Sequence, residues 1–519
     1  MSEIPADPDR APLDQPSGAR LARTMEEVTE ALLSRWPESR LEPSLDRITA
    51  LCEVLGEPQR AYPAIHLTGT NGKTSTSRMV DTLLRALGLR TGRFTSPHVE
   101  RINERISLDG EPIGDEAFVR AFNDVAPFLA LVDDGQEHPL SFFETVVGTA
   151  YAAFAEAPID VAVVEVGMGG SWDATNVIDA GTAVVLPVAM DHTQFLGDSI
   201  VGIATEKAGI IKPGARVVIA EQEDAVLEVL LARCAEVEAA PVRAGVDFGV
   251  ESRVPAVGGQ MVHLRGLRGS YEEVFLPLHG AHQAENAAMA LATVESFLGG
   301  EALDPEVVRE AFGQVLSPGR LEVVRRSPTI LLDAAHNPHG AKALVAALED
   351  SFAFQPLIGV MGVMGDKDVE GLLETLEPAL SHVVCTQVDD RRGMPATELA
   401  DLAESIFGGD RVSVALRIED AIDEAAAMAE SAGAFGEAIG AGGVIVTGSV
   451  VTVGRARALL VRERERDVPA PPTAVLVAPD EPEDEDDLDA LGALEDLVGV
   501  RREDGRRDRD EETGEDLDA

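Results

Sequence analysis

Chemistry is most legible in the run Ile65-His66-Leu67-Thr68-Gly69-Thr70-Asn71-Gly72-Lys73-Thr74-Ser75. An apolar stretch of strand type enters a glycine turn, and a lysine and a hydroxyl residue follow where a helix begins. Met79, Val80, Leu83, Leu84 and Leu87 recur at helical spacing, and Gly88 stops the pattern. Strand, turn, Lys-Thr and helix together make a phosphate cradle. Backbone N–H groups and the positive end of the helix face the anion, Lys73 adds a point charge, and Thr74 can reach a magnesium ion. Only Thr70 and Asn71 separate Gly69 from Gly72, a shorter interval than in the common G-x-x-x-x-G-K loop.

Further candidate groups stand at the ends of strand-like runs. Glu165 opens Glu165-Val-Gly-Met-Gly-Gly-Ser-Trp-Asp173, and Asp191-His192-Thr193 follows another run. Asp333-Ala-Ala-His336-Asn337-Pro338 ends a third. Glu165 suits a hard, oxygen-loving cation, but the N–H groups of the glycines after it could satisfy the same carboxylate. His192 is equally open to a structural hydrogen bond. In open α/β sheets ligands sit outside the carboxyl ends of strands, so these segments can converge on one cleft.

The elements that must position them alternate. Strand patterns at 160–166, 183–189, 217–220 and 274–278, with a helix at 283–298, form a first α/β series. Runs at 329–333, 357–363, 382–386, 412–415 and 444–447 form a second. The expected fold is α/β: a phosphate-loop domain with a mostly parallel sheet, then a smaller Rossmann-like α/β domain. Residues 1–24 lack periodicity and are expected to be disordered. The first domain then runs over 25–315, opening on a helical pattern from about Met25 to Leu55, and the second over 316–466. An acidic disordered tail is expected over 467–519.

At 519 residues and 45% hydrophobic content the chain suits a two-domain globular enzyme. A net charge of −48 argues against nucleic-acid binding. No apolar run is long enough for a membrane span, and the N-terminus has no signal-peptide pattern. Cys52, Cys234 and Cys385 are widely spaced and form no CxxC, which suits a reducing cytoplasm. Lysine is scarce, with Lys73, Lys207, Lys212, Lys342 and Lys367 against 38 arginines. A surviving lysine can mark a place where arginine does not serve.

From about Leu45 to about Arg457 the chain resembles the folylpolyglutamate synthase/dihydrofolate synthase family, a branch of the Mur-ligase-type ATP-dependent amide ligases. The resemblance rests on ten separated motifs in the family's order. They are Gly-Thr-Asn-Gly-Lys-Thr-Ser, Thr95-Ser96-Pro97-His98, Ser141-Phe-Phe-Glu144, Glu165-Val-Gly-Met-Gly-Gly, Asp173-Ala-Thr-Asn176 and Asp191-His192-Thr193, then Glu206-Lys207-Ala-Gly-Ile, His282-Gln283 with Asn286, Pro318-Gly-Arg320-Leu-Glu and Asp333-Ala-Ala-His336-Asn-Pro. Each is weak to moderate alone, and together they are specific.

The resemblance implies roles residue by residue. Gly69, Thr70, Asn71, Gly72, Lys73, Thr74 and Ser75, with Gln283, Asn286, Arg320 and Asp333, would contact ATP. Thr74, Ser96 and Glu165 would hold one Mg²⁺; Glu165, His192 and a carbamylated Lys207 would surround a second, with K⁺ as an optional further ion. A carbamate offers a hard cation two anionic oxygens, which guanidinium cannot become. An ion pair with Glu206 is the plainer role for Lys207. Ser141, Phe143, Asp173, Ala174, His336 and Ser449 would form the acceptor and glutamate side, with Asp173 receiving pterin N–H groups. A cap on a helix is the plainer role for Ser449. Lys73, Lys207, His192 and His336 would serve catalysis. Ser171-Trp172 replaces the Arg-Leu found in many members and alters the pterin surroundings.

The implied reaction is ATP-dependent ligation of L-glutamate to dihydropteroate or reduced folates through an acyl phosphate, by a cytoplasmic monomer with small-molecule partners. Two rivals are a peptidoglycan-precursor Mur ligase and a non-catalytic ATP-binding regulator. The former carries an additional N-terminal domain, for which the 68 residues before Gly69 leave little room. The latter has no need of Lys207 and His192.

Overall fold

The computed structural model describes residues 21–37, 42–431 and 442–467. The tail expected over 467–519 and most of the segment 1–24 lie outside them. Near the start, Ala22 exchanges hydrogen bonds with the Asn123 side chain, so the described chain is anchored three residues before its first helix. The single helical pattern expected over 25–55 is two helices, Met25–Leu33 and Asp46–Val54. Pro37 and Pro43 fall between them and cannot continue a helix.

Eight strands build the first sheet: β1 (Ala64–Thr68), β2 (Thr91–Phe94), β3 (Ile106–Leu108), β4 (Glu111–Pro112), β5 (Val161–Glu165), β6 (Thr182–Val185), β7 (Arg216–Ile219) and β8 (Ala240–Arg243). Their order is β4-β3-β2-β5-β1-β6-β7-β8. The run from β2 to β8 is parallel, and β3 and β4 add an antiparallel edge. Every residue of β1 and β5 is buried, as expected for strands covered on both faces. Strand alternation divides them cleanly. Val161 and Val163 join the core under the helices Lys73–Ala86 and Ala281–Phe297, whereas Ala162 and Val164 join the core under the helix Phe142–Glu156. Because β1 lies between β5 and β6, its carboxyl end opens at the switch point of the sheet.

One expectation needs correction. The run 274–278 does not extend the parallel series; it belongs to a separate antiparallel sheet of β9 (Gly249–Ala256), β10 (Gly259–Arg265) and β11 (Ser270–Leu276). Period-two burial in β10 and tight turns at both ends of it are the hairpin signature that sets this sheet apart.

The third sheet holds β12 (Glu322–Arg326), β13 (Thr329–Leu332), β14 (Leu357–Met361), β15 (His382–Cys385), β16 (Val412–Val414) and β17 (Gly443–Thr447), in the order β12-β13-β17-β14-β15-β16. All neighbours are parallel except β12 with β13. The two-part α/β architecture expected from the alternation is therefore present, and the carboxyl ends of β1, β5 and β13 face a shared cleft.

Candidate functional site

β1 hands the chain to the phosphate loop through two glycines that nothing larger can replace. Gly69 has φ +149, and a Cβ there would stand 2.6 Å from Leu186 Cβ; Gly72 has φ +88, and its Cβ would stand 2.7 Å from Asn286 Oδ1. The helix starts at Lys73 and aims its first N–H groups into the cleft. Lys73 Nζ donates to the carbonyls of Gly69 at 2.9 Å and Thr70 at 3.2 Å. Lys207 Nζ donates to the same Gly69 carbonyl at 3.0 Å. Two amines on one carbonyl oxygen, Lys207 buried and Lys73 half-buried, repel each other unless an anion joins them or one loses its proton. Burial, with Lys73 adding to it, pushes Lys207 down to about 7; burial also lowers Lys73. The ion pair with Glu206 is not formed, and Glu206 instead accepts from the Trp172 N–H at 3.3 Å.

Glu165 closes β5 opposite the loop. Its Oε1 accepts from the Thr74 hydroxyl at 2.9 Å, while Oε2 is buried with no partner. The glycines after it do not satisfy it, which decides the ambiguity left by the sequence. A buried carboxylate oxygen without a donor is costly, and burial raises the Glu165 pKa against the pull of Lys73 and Thr74. An orphan carboxylate oxygen beside a hydroxyl is a fitting donor set for a hard cation. Ser96 lines the same cleft. Among the described residues no three His, Cys, Asp or Glu side chains form a metal cluster by themselves, so a cation here would draw on hydroxyls, water and substrate phosphates besides Glu165.

The third sheet supplies the opposite wall. Asp333, just after β13, accepts from Leu321 N and Ala335 N, each at 2.9 Å, and thereby ties the backbone next to Arg320 to the end of β13. His336 Nδ1 pairs with the Ala334 carbonyl at 2.9 Å, which leaves Nε2 facing Asp191 at 3.8 Å. His192 has φ +52, uncommon for a residue with a Cβ, and such strain concentrates at functional sites. Asp191 is a junction: it accepts from Lys367 Nζ at 2.8 Å and Asn337 Nδ2 at 2.8 Å. Burial alone would raise the Asp191 carboxyl, but His192, Lys367 and His336 outweigh it and hold it below the usual carboxylate range. Lys367 Nζ also lies 3.3 Å from His192 Nε2.

Sequence reasoning missed Lys367, Asn337 and the junction role of Asp191. The scarcity of lysine was the available signal, for Lys73 and Lys207 line one cleft and Lys367 bonds Asp191 at its wall. Gln283 and Asn286, buried on the helix Ala281–Phe297, brace the loop from below. Gln283 Nε2 donates to Ser75 Oγ at 3.4 Å, and Asn286 Nδ2 donates to Gln283 Oε1 at 3.2 Å.

Beside this 630 Å³ cleft lies a second cavity of 430 Å³. Ser96, Gly167, Met168, His192 and His336 line both. Ser141, Phe143, Asp173, Ala174 and Ser449 line the second, together with Trp172 and Lys367. Its polar groups are already engaged. Ser141 caps the helix Phe142–Glu156 in a capping box with Glu144, which Arg47 braces at 2.9 Å. Ser449 accepts from Thr452 N at 3.0 Å and so caps the helix Val450–Asp467, its plainer role. Asp173 accepts from Met168 N at 2.8 Å on Oδ2, and from Thr175 N at 3.0 Å and Thr175 Oγ1 at 2.5 Å on Oδ1. Every residue to which the resemblance gives an ATP, metal, acceptor or catalytic role lines one of these two cavities.

Two family models match the chain: the Mur ligase middle domain over residues 67–294, and the Mur ligase glutamate ligase domain over 319–449. A curated dihydrofolate synthase/folylpolyglutamate synthase of Mycobacterium tuberculosis is 49% identical over 457 residues, which cover 84% of this chain and 94% of that protein. A protein of the same name from Bacillus subtilis is 33% identical over 384 residues, 71% of this chain and 87% of that one. Among solved structures, the M. tuberculosis folylpolyglutamate synthase complexed with ADP superimposes with a TM-score of 0.81 at 49% identity, covering 84% of this chain and 98% of that one. An Escherichia coli protein in complex with DHPP and ADP matches with a TM-score of 0.74 at 27% identity, over 86% and 99% of the two chains. The chain belongs to the Mur ligase family, in its dihydrofolate synthase/folylpolyglutamate synthase branch. It is accordingly an ATP-dependent ligase that joins a carboxylate to an amine, and the resemblance drawn from the motifs is borne out.

Proposed function

We propose that this protein ligates L-glutamate to dihydropteroate and to reduced folates, using ATP to activate the acceptor carboxylate. The observation that carries the reading is the shared wall. A cleft built for phosphates and a cavity sized for a heterocyclic acid meet at Ser96, Gly167, Met168, His192 and His336. An acceptor carboxylate at that wall can meet the terminal phosphate in line.

The loop N–H groups hold the phosphates, and Lys73 turns from the Gly69 and Thr70 carbonyls to the transferring group. Arg320 brings a planar fork to phosphate oxygens from the other wall. The acceptor carboxylate oxygen takes the γ-phosphoryl group, the bond to ADP breaks, and an acyl phosphate forms. The neutral glutamate amine attacks the acyl carbon, the carbon–oxygen bond to phosphate breaks, inorganic phosphate departs, and the proton shed by the nitrogen passes to that phosphate or to water as the amide forms. His336 and Ser449, on the acceptor side of the wall, are placed to orient the incoming glutamate.

Thr74, Ser96 and Glu165, with Thr74 and Glu165 in contact, would hold one Mg²⁺, and Glu165, His192 and Lys207, on the same cleft, would hold a second. When bound, these ions would neutralise phosphate charge. Lys207 would contribute as a carbamate, formed when its neutral amine attacks CO₂ and sheds one proton. Its burial, the absence of an ion pair with Glu206 and the crowding with Lys73 at one carbonyl all support that form. Three buried free thiols suit a reducing compartment, and we place the enzyme in the cytoplasm as a monomer. The test is incorporation of labelled glutamate with ATP and, in parallel, dihydropteroate, tetrahydrofolate or a uridine-linked muramyl acceptor. Incorporation into the pterin acceptors alone supports the reading; incorporation into the muramyl acceptor alone overturns it.

A further inference from the structure

Behind the acceptor cavity lies a chain of buried polar groups that the reaction above does not use. His66, in the middle of β1, is fully buried, and its Nε2 stands 2.9 Å from Thr175 Oγ1. Thr175, also fully buried, lies 2.5 Å from Asp173 Oδ1 through the same hydroxyl. Tyr151 OH donates to the Thr175 carbonyl at 2.8 Å and pins the residue from the far side.

Proton counting fixes the direction of this chain. Burial raises the Asp173 carboxyl, and the donors from Thr175 and Met168 oppose that and favour its ionised form; an ionised carboxylate only accepts and a hydroxyl has one proton, so with Asp173 ionised the Thr175 proton points at it. His66 Nε2 must then donate to Thr175, which makes the imidazole the neutral Nε2–H tautomer with a bare Nδ1. Nδ1 is indeed buried without a partner. Burial, with Lys212 adding to it, pushes His66 down to about 3, so the ring is neutral. A hydroxyl that accepts on one side donates more strongly on the other.

We infer that His66 and Thr175 are positioning residues for the acceptor: they orient Asp173 and occupy its Oδ1 with two Thr175 donors, so that Oδ2, which accepts one bond from Met168 N, offers its remaining acceptor capacity to an N–H of the bound heterocycle. This rests on the reading that Asp173 contacts the pterin ring. It also explains why one strand serves both sites. β1 ends in the phosphate loop three residues after His66, so the strand that places the phosphates also sets the carboxylate that places the acceptor.

The experiment compares KM for dihydropteroate, KM for ATP, kcat and melting temperature in single and double variants. Thr175→Val keeps the shape and removes the hydroxyl; it should raise the dihydropteroate KM about tenfold, the size of one lost hydrogen bond, with the ATP KM unchanged. Thr175→Ser should restore it. His66→Leu should act like Thr175→Val, while His66→Gln, which keeps a donor, should stay near wild type. In an Asp173→Ala background His66→Leu should have no further effect on the dihydropteroate KM, because His66 acts only through Asp173. An unchanged dihydropteroate KM in both Thr175→Val and His66→Leu, with Asp173→Ala impaired, overturns the relay but keeps the pterin contact. An unchanged KM in Asp173→Ala overturns both. A rise shared equally by ATP, or an additional loss in the double variant, reduces the chain to a fold-stabilising device and overturns the inference. Should His66→Leu fail to fold, the Thr175→Val and Thr175→Ser pair decides alone.

Discussion

The two cavities solve opposite problems. In the phosphate cleft the protein leaves polar groups unsatisfied: Glu165 Oε2 has no donor, and Lys73 and Lys207 crowd one carbonyl. In the acceptor cavity the polar groups are already spoken for, with Ser141, Glu144, Ser449 and Asp173 all engaged by the protein. The first region needs charged ligands to relieve it, so binding there is electrostatic. The second recognises by shape, Phe143 and Trp172 included, with few open lone pairs for orientation. Mutations in the cleft should therefore act on the chemical step, and those in the cavity on acceptor binding.

The largest effect should come from Lys73→Ala, which removes the point charge over the transferring phosphoryl group. Steady-state phosphate release should fall by about a thousandfold, while dihydropteroate binding, followed by calorimetry, should stay near wild type. An equal loss of dihydropteroate affinity would erase the contrast between the cavities.

Lys207 comes next. Both Lys207→Ala and Lys207→Arg should lose about a hundredfold in kcat, a size typical of losing a ligand-shell group. Small carboxylic acids should partly rescue the alanine variant and not the arginine one. The wild-type amine is depressed to about 7. It therefore loses its proton as pH rises through that value, and only the neutral form attacks CO₂. Enzyme stripped of CO₂ should then regain activity on bicarbonate addition faster at pH 8 than at pH 6. Full activity in Lys207→Arg would remove the carbamate.

Smaller and confined to the other cavity is Asp173→Ala, which should cost about 1.5–3 kcal/mol in dihydropteroate affinity and leave ATP affinity alone. Equal losses for both would show that the 167–176 loop has collapsed. Ser449→Ala removes a helix cap and should lower stability by about 1 kcal/mol, seen as a lower melting temperature. Least of all, a chain ending at Glu465, where the first compact unit ends, should keep its ligation rate.

Legibility followed the same division. The phosphate loop was readable because its residue types follow from simple chemistry: Gly69 and Gly72 from positive φ and close contacts, Lys73 and Thr74 from the charge and hydroxyl that a phosphate cradle calls for. The parallel strands were readable because β1 and β5, buried on both faces, are continuous apolar runs. The antiparallel sheet of β9 to β11 was not separated from them, since its strands are half exposed and their apolar residues few. Resemblance assigned Asp173 and Ser449 to the acceptor and glutamate side, and both line the second cavity, yet their partners, Thr175 and Thr452, are visible only in three dimensions. Lys367 lies 176 residues from Asp191, a separation that no local pattern bridges.

The central claim is that the two cavities meet so that an activated pterin carboxylate is passed to glutamate. Mass spectrometry of the product after incubation with ATP, L-glutamate and dihydropteroate tests it most directly. The account predicts one glutamate in amide linkage per acceptor, with ADP and phosphate released in equal amounts. ATP consumption without a glutamylated pterin, or glutamate joined only to a uridine-linked muramyl acceptor, would contradict it.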